Sequence, residues 1–584
     1  MNPIAQQFLD RIRDARESTT GSLGRLSHWL EKHTTLNGRP YSFRDHEFQR
    51  DIIDDKSTTM VVLKSSQVGL SEVSARMTLG LLATNASCVA IYGLQTVAFS
   101  SRFTKSRIDP IIAGSPTLSA MTVSASDSAS FKQFNNGAQL HGAGLSHGIS
   151  VISVPAWALV VDELDFCDPQ SVATAESRLS HSSFYNEETG VRGIRRFFST
   201  PTVPDYGVSK LFDQSNQRQR LVKCRHCSEW FWPNLLEQGV VDGWDRAMVE
   251  ITAVDVMQLE ERGLLHTARL LCPSCHGVIT AQNLGPDRRE WVAKRPGVTR
   301  VSGWQVSPFD LPAYHTVETL LRKLVEFGDS ATNHWYNFAL GIPYANSLNS
   351  VVDGIVAQNT VVTPITPEQA KVGGVGGCVV GLDVGKISWI VIGKVIDKEL
   401  HILWVEQIRL RTEDGSDLEG RVLELLRAYR VVVGIMDALP YTDTILRIIA
   451  QYPAIRAAEY SIRDKTLPMM VAPEDSDIAK MNRGKTISYL VRRVNSGQVK
   501  FPRINETAIV AAHLRALRQV ERIKENGEVV QEWVSTGPDH YGHALNYCNM
   551  AAQSLMDTIA VSYTPPTTIR QARPGSRFRP MRAA

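Results

Sequence analysis

The sequence predicts an α/β protein with mostly parallel, doubly wound sheet in its first half, a cysteine-bearing insert, and a second α/β half. Three observations carry this. Short apolar runs such as Met60-Val61-Val62-Leu63 and Ala158-Leu159-Val160-Val161 end in polar or acidic residues and alternate with helix-length stretches, as buried parallel strands joined by helices do. Two Cys-x-x-Cys pairs lie near the middle, and Gly373–Gly377 (GGVGG) reads as a linker or strand-edge turn before a second set of apolar runs. At 584 residues the chain has room for two or three domains with ample core. A net charge of +3 is too small to indicate nucleic-acid binding, which would need a local basic patch. With no bilayer-length apolar run and no signal-peptide pattern, the expectation is a cytosolic chain that is not secreted and meets no membrane.

The first element to justify is Lys64-Ser65-Ser66-Gln67-Val68-Gly69-Leu70-Ser71, which follows the apolar run at 60–63 and precedes a helix-like stretch, Glu72–Leu82. Strand, Gly-containing polar loop and helix form the layout of a phosphate-binding loop. Amides at the helix start would face phosphates and Ser71 would ligate Mg²⁺. The usual G-x-x-x-x-G-K-[ST] puts Lys just before the Ser; here Leu70 holds that place and Lys64 opens the loop. A strand, turn and helix without ligand is the competing reading.

About 90 residues on, Ala158–Val161 ends in Asp162-Glu163. A buried strand ending in two carboxylates is the expected partner of a phosphate loop: Asp162 to hold Mg²⁺, Glu163 to orient or deprotonate the attacking water. Cys88–Tyr92 reads as another strand, followed by Gln95-Thr96, and Phe197-Phe198 runs into Ser199-Thr200-Pro201-Thr202. A small polar stop at a strand end can sense the third phosphate of a nucleotide; an ordinary turn with a helix N-cap is the alternative.

Lys-first loop, Gln-Thr, Phe99–Pro110 (FSSRFTKSRIDP), Asp162-Glu163-Leu164-Asp165 and Ser-Thr-Pro-Thr, in that order, resemble the large terminase subunit of tailed bacteriophages, in particular the lambda GpA-like branch, whose loop also carries its Lys early. The resemblance implies that Lys64 contacts the β- and γ-phosphates, that Glu163 is the catalytic carboxylate, and that Ser199-Thr200-Pro201 couples hydrolysis to movement. It also implies an adenine contact from Tyr41 or Phe48-Gln49 and an arginine finger, for which Arg102 and Arg107 are candidates; solvated helix arginines are the alternative for both.

Cys224-Arg-His-Cys227 and Cys272-Pro-Ser-Cys275 are separated by 44 residues. In a reducing compartment such pairs favour a metal over disulfides. Four thiolates close a tetrahedral zinc site with no open position, so the zinc would be structural. Unpaired core cysteines are the competing reading, His226 and His276 are nearby alternative ligands, and Val240–Leu270 is expected to be helical.

In the second half, Cys378–Leu382 is an apolar strand ending in Asp383; Trp389–Val395 and His401–Val405 are the next strands; Leu418–Tyr429 is helix-like; and Val431–Met436 ends in Asp437. Strand-Asp, hairpin, strand, helix, strand-Asp is the order of an RNase H-like nuclease. Neighbouring strands would set Asp383 beside Asp437, an arrangement costly unless divalent metal bridges the two; two Mg²⁺ or Mn²⁺ ions would activate water and stabilise the leaving oxygen of a phosphodiester. Terminase nucleases commonly end in D-H-x-x-D-A, and Asp539-His540-Tyr541-Gly542-His543-Ala544 departs from it at His543. Asp539, His543 and, third, His540 are the candidates for the last ligand. Lys480, Arg483, Lys485, Arg492, Arg493, Lys500 and Arg503 form either a DNA-tracking face or a solvated one.

The expected organisation is an N-terminal helical segment over 1–40, a P-loop ATPase over 41–220, a zinc-ribbon-like segment over 221–310, a helical connection over 311–372, an RNase H-like nuclease over 373–563 and a basic tail over 564–584. What the resemblance implies for the whole is an ATP-driven translocase of double-stranded DNA and a metal-dependent endonuclease, with ATP, Mg²⁺ or Mn²⁺ and structural Zn²⁺. Its partners would be DNA, a small terminase subunit, the portal of a procapsid and further copies in a ring, in the host cytoplasm. A superfamily-2-like helicase or restriction-type translocase is the alternative; it would need helicase motifs after Thr202, and none is apparent there.

Overall fold

The computed structural model describes residues 25–146, 154–327, 332–373, 375–411, 415–461, 467–471, 478–524, 526 and 528–562. The tail expected over 564–584, and residues 1–24 of the segment expected over 1–40, lie outside these. The chain divides into two compact units: one takes the residues up to Asn349 together with Arg518–Thr536, the other Ser350–Leu517 and the residues from Gly537 on.

In the first unit, β1 (Thr59–Lys64) leads into α1 (Leu70–Thr84), followed by β2 (Val89–Leu94), α2 (Val97–Phe103), β3 (Gln139–Gly144), β4 (Ala158–Asp162), β5 (Ile194–Ser199), α3 (Gly207–Asp213), β6 (Arg218–Lys223), β7 (Arg269–Leu271) and β8 (Ser302–Val306). The main sheet has the order β6-β8-β1-β5-β4-β2-β3, parallel throughout, with short antiparallel strands at its edges. Alternation along β1 shows why both faces are covered. Met60 and Val62 enter one core with Phe48, Val73 and Tyr92, while Val61 and Leu63 enter another with Leu159, Phe197 and Val208, the period-2 division of a strand buried on both sides. The parallel order brings the carboxyl ends of β1, β5 and β4 to one edge, where such sheets bind ligands.

β7 belongs to a separate three-stranded sheet with Gly239–Val240 and Val278–Ile279. Val240–Leu270, expected to be helical, has its α-helix only over Ala253–Glu261. A Thr252/Asp255 capping box starts that helix, and left-handed Gly243 and Gly263 (φ 79° and 66°) turn the chain on either side of it.

The second unit is built on β9 (Cys378–Asp383), β10 (Ile387–Ile396), β11 (Glu399–Arg409), α4 (Ser416–Ala428), β12 (Val431–Asp437), α5 (Thr442–Gln451), β13 (Ile455–Ser461), β14 (Ile478–Asn482), α6 (Arg483–Asn495), β15 (Val499–Pro502) and α7 (Glu506–Ala516). The sheet order β15-β11-β10-β9-β12-β13-β14 has an antiparallel meander, β9 to β11, and then parallel β12 to β14, the RNase H-like arrangement expected from the sequence. Val380, Leu382, Ile390 and Met436 pack with Val422, Leu426 and Ile445 of α4 and α5. Strands β16 (Leu517–Ile523) and β17 (Val529–Ser535) pair only with each other; α8 (His540–Ser562) follows. Helix α8 lies directly on β9. A Cβ on Gly381 would stand 2.1 Å from the Ala544 carbonyl oxygen and 2.2 Å from the Cys548 nitrogen, so only glycine permits that approach. Among the described residues no helix is long and apolar enough to cross a membrane.

Candidate active sites

The loop after β1 is shaped by left-handed residues, Gln67 (φ 60°) and Gly69 (φ 76°), the latter just before the first turn of α1. That turn's amides have no intrahelical acceptor. Ser65 and Ser66 are different: their amides donate to the carbonyls of Val306 and Phe338, at 3.1 and 2.7 Å, which fixes the start of the loop rather than leaving it free for a ligand. The Ser65 hydroxyl is buried without a partner, a donor that fits a phosphate oxygen. Gln49 donates to the Val68 carbonyl at 3.0 Å, and its amide nitrogen leaves no room for a Cβ at Gly69. Tyr41 is buried under the Arg76 guanidinium, 4.1 Å from the ring centre.

Lys64, at the end of β1, is buried and puts Nζ 2.6 Å from Glu163 Oε1. Burial pushes its pKa down, but Glu163 and Asp162 outweigh this and hold it above the usual lysine value. Asp162, at the end of β4, is raised to about 6 by burial, against the lowering effects of Lys64 and a hydrogen bond from Ser71. Glu163 sits in a left-handed conformation (φ 58°) that turns it out of the strand. Its Oε2 accepts from the Thr200 amide at 3.4 Å and from the Thr200 hydroxyl at 3.3 Å. The sequence-derived residues Lys64, Ser71, Asp162, Glu163 and Thr200 thus converge at one edge of the sheet. Arg107 pairs with Glu72 at 3.5 Å.

The four cysteines are the only group of three or more His, Cys, Asp or Glu ligand atoms, among the described residues, that lie within 4.8 Å of one another. Sγ–Sγ separations are 3.8 Å for Cys224–Cys275 and 3.7 Å for Cys227–Cys272. Zn–S bonds of about 2.3 Å in a tetrahedron require sulfur separations of about 3.8 Å, so the residues fit zinc. The two knuckles are built alike. Ser228 and His276, each following the second cysteine, are left-handed (φ 65° and 56°) and donate their amides back to the Cys224 and Cys272 carbonyls. Burial raises the Cys224 thiol, but the amides of Cys227 and His226 outweigh it and bring the thiol down to about 6. His226 packs over Gly277.

In the second unit, Leu382 pairs with Met436 across parallel β9 and β12, which sets Asp383 and Asp437 side by side. Burial lifts Asp437 to about 6 and the Asp383 charge adds to it. Helix α8 brings three further groups. His540 Nδ1 is 2.9 Å from Asp383 Oδ2, and its ring stacks on Trp389. Asp539, just ahead of the helix, reaches His543 Nε2 with Oδ2 at 2.9 Å, and His543 Nδ1 lies 3.2 Å from the Tyr460 hydroxyl, which accepts from Asn546 at 3.0 Å.

Residues 39–291 match the family model of the phage terminase large subunit gpA, ATPase domain. That match takes in the loop after β1 together with Asp162 and Glu163. Among solved structures, the chain is similar to the large terminase of bacteriophage HK97, with 11% identity over 90% of this chain and 98% of the other at a TM-score of 0.48. It is also similar to the large terminase nuclease of thermophilic phage G20c, with 18% identity over 35% and 98% at 0.25, and to the large terminase of a second thermophilic bacteriophage in complex with ATP-gamma-S, with 11% identity over 84% and 93% at 0.27. No curated protein matches.

The residue of this site to which the sequence assigned no role is Asp165. It is fully buried, accepts from the Thr202 amide and hydroxyl at 2.8 Å each and from the Val208 amide at 2.7 Å, and its own amide donates to Ser199 Oγ at 3.1 Å. It ties the turn after Glu163 to the whole segment from Ser199 to Val208. The local signal was one acid two residues beyond Glu163. In the second unit the basic residues are largely engaged locally: Lys480 with Glu459, Lys485 with the Leu467 carbonyl, Lys500 with Glu399, and Arg493 buried against Asn549 and the Lys398 carbonyl.

Proposed function

We propose that the chain is a terminase large subunit that couples ATP hydrolysis at Lys64, Asp162 and Glu163 to transport of double-stranded DNA into a procapsid, and cuts concatemeric DNA with Asp383, Asp437 and a ligand from the start of α8. The observation that carries the ATPase reading is the Lys64–Glu163 contact of 2.6 Å with Thr200 on the other Glu163 oxygen. Phosphate binding at the α1 N-terminus would draw Lys64 away from Glu163 by offering it a more negative partner. The freed carboxylate oxygen would then orient and deprotonate the attacking water, while the Thr200 contact passes its position to Ser199-Thr200-Pro201. Ser65, Ser66, Gln67, Val68, Gly69 and Leu70 shape the cradle. Mg²⁺, held by Ser71 and Asp162, would neutralise phosphate charge. The partly raised Asp162 fits that role, since a cation would stabilise its ionised form.

At the nuclease site Mg²⁺ or Mn²⁺ would offset the repulsion of Asp383 and Asp437 and supply a water activated for phosphodiester attack. Asp539 and His543, already joined, are the remaining ligand candidates, and His540 orients Asp383. Zn²⁺ on Cys224, Cys227, Cys272 and Cys275 is structural. The working domains are the ATPase over 41–220, the zinc-ribbon-like segment over 221–310, the connection over 311–372 and the nuclease over 373–563. Partners are DNA, a small terminase subunit, the portal and further copies in a ring, and the setting is the host cytoplasm. Backbone contacts suffice for a motor that must move any sequence.

Glu163→Ala tests the reading. DNA-stimulated ATP hydrolysis should fall by about 10³-fold, the range of a lost general base, with ATP binding retained. Turnover at the wild-type rate would remove Glu163 from its role.

A further inference from the structure

We infer that Arg522 is a positioning residue for ATP hydrolysis, delivered to the first unit by the β16–β17 hairpin. The chain leaves the second unit after Leu517, contributes Arg518–Thr536 to the first, and returns at Gly537. This excursion is seated by apolar burial: Val520 and Val534 of the hairpin pack with Val203 and Tyr206, all buried, and with Ala345. Lys210 of α3 donates to the Thr536 carbonyl at 3.1 Å, and Glu521 meets His334 Nε2 at 3.1 Å.

Within that seat Arg522 makes two directed contacts. Nη1 donates to the Cys167 carbonyl at 2.8 Å and Nη2 to the Tyr206 hydroxyl at 3.1 Å. Glu532, on the facing strand, lies 2.5 Å from Nε as a charge partner, without the geometry of a hydrogen bond. The two acceptors bracket the Asp165 tie. Cys167 closes the turn that begins at Glu163, with its amide on the Leu164 carbonyl at 3.0 Å and its thiol 3.6 Å from the Glu163 carbonyl. Tyr206 immediately precedes Gly207-Val208, where a Cβ at Gly207 would overlap the Asp165 carboxylate at 2.2 Å. The Glu163 turn and the Ser199–Val208 segment are therefore clamped twice, by Asp165 from within and by the Arg522 guanidinium at its margin. A planar guanidinium reaches two acceptors at once in a fixed geometry, which an ammonium cannot do. Loss of the outer clamp lets the Glu163 turn and the Thr200 segment drift relative to each other, and misplacement of a catalytic group by about 1 Å is enough to cost up to about a hundredfold in rate.

The inference rests on Glu163 being the catalytic carboxylate, so its test includes Glu163→Ala. Full-length wild type, Arg522→Ala, Arg522→Lys and Glu163→Ala are compared for kcat and KM of ATP hydrolysis with linear duplex DNA present, and for melting temperature. Arg522→Ala should lower kcat by roughly ten- to a hundredfold with KM for ATP and melting temperature unchanged, and Arg522→Lys should recover part of the loss by restoring one donor. Wild-type kcat in Arg522→Ala beside an inactive Glu163→Ala would overturn the positioning role and leave the catalytic reading standing. Full activity in Glu163→Ala would remove the reading beneath it. A collapse of kcat, KM and melting temperature together in both Arg522 variants would show a merely structural contact and also overturn it.

Discussion

Asp165 carries three hydrogen bonds on a carboxylate with no exposure to solvent, and burial raises its pKa to about 7 against the lowering effect of the Val208 and Thr202 donors. The folded chain holds this proton more tightly than the unfolded one, so the group's contribution to stability is full below about pH 4 and is lost as pH rises through about 7. Activity should run the other way. Only the ionised carboxylate accepts at both oxygens without turning a donor toward an N–H, so kcat for ATP hydrolysis should rise between about pH 6 and 8 with an inflection near 7. Asp165→Asn, which presents one donor face to the same amides, should lose roughly tenfold in kcat and lack the inflection. A wild-type profile in the variant would exclude the link. The placements legible in the sequence were those of residues that end an apolar run: Lys64, Asp162, Asp383 and Asp437. Asp165 was not legible, because its partners Thr202 and Val208 are 37 and 43 residues away and only the parallel pairing of β4 with β5 brings them together. Nor was the His540–Asp383 contact, since the phase of α8 over the sheet is set by packing.

Elements tell the same story at larger spacing. The β9-to-β12 order and the strand–loop–helix start were readable because hydrophobic period and turn residues are local. The β16–β17 hairpin was not, because its alternation does not say which unit will cover it. Two glycine and cysteine devices make predictions here. Gly381 lets α8 lie on β9, and Gly381→Ala must lift the helix that carries Asp539, His540 and His543. Overpacking of this kind costs about 1–3 kcal/mol. Mn²⁺-dependent plasmid cleavage should fall at least about tenfold while ATP hydrolysis is retained; unchanged cleavage would mean the helix is not what places these side chains. The paired knuckles should hold about one zinc per chain by elemental analysis. Cys272→Ser should lose that zinc and lower the melting temperature, because a metal there would close β7, its two neighbours and the core of Leu270, Ile279 and Val256. A metal-free protein of undiminished stability would contradict this.

At the scale of the whole molecule, each unit has its own sheet and its own apolar cores, and each proposed chemistry draws its acids from one unit only. The Lys64–Glu163 pair and the Asp383–Asp437 pair therefore do not share a ligand, a proton or a strand. Asp383→Ala should abolish Mn²⁺-dependent plasmid cleavage and leave DNA-stimulated ATP hydrolysis within about twofold of wild type, the scale of mutational effects between sites that share no contacts. Glu163→Ala should do the reverse. Residues 518–536 run from the second unit into the first and back, and Thr536 stands only three residues ahead of Asp539. If that excursion only fastens the chain, Arg522→Ala leaves cleavage untouched whatever it does to ATP hydrolysis. If it also reports the state of the Glu163 turn to α8, the ATP dependence of plasmid cleavage in Mn²⁺ should be present in wild type and absent in Arg522→Ala, with cleavage in the absence of ATP equal in the two proteins. Equal ATP dependence in both would confine the hairpin to the ATPase.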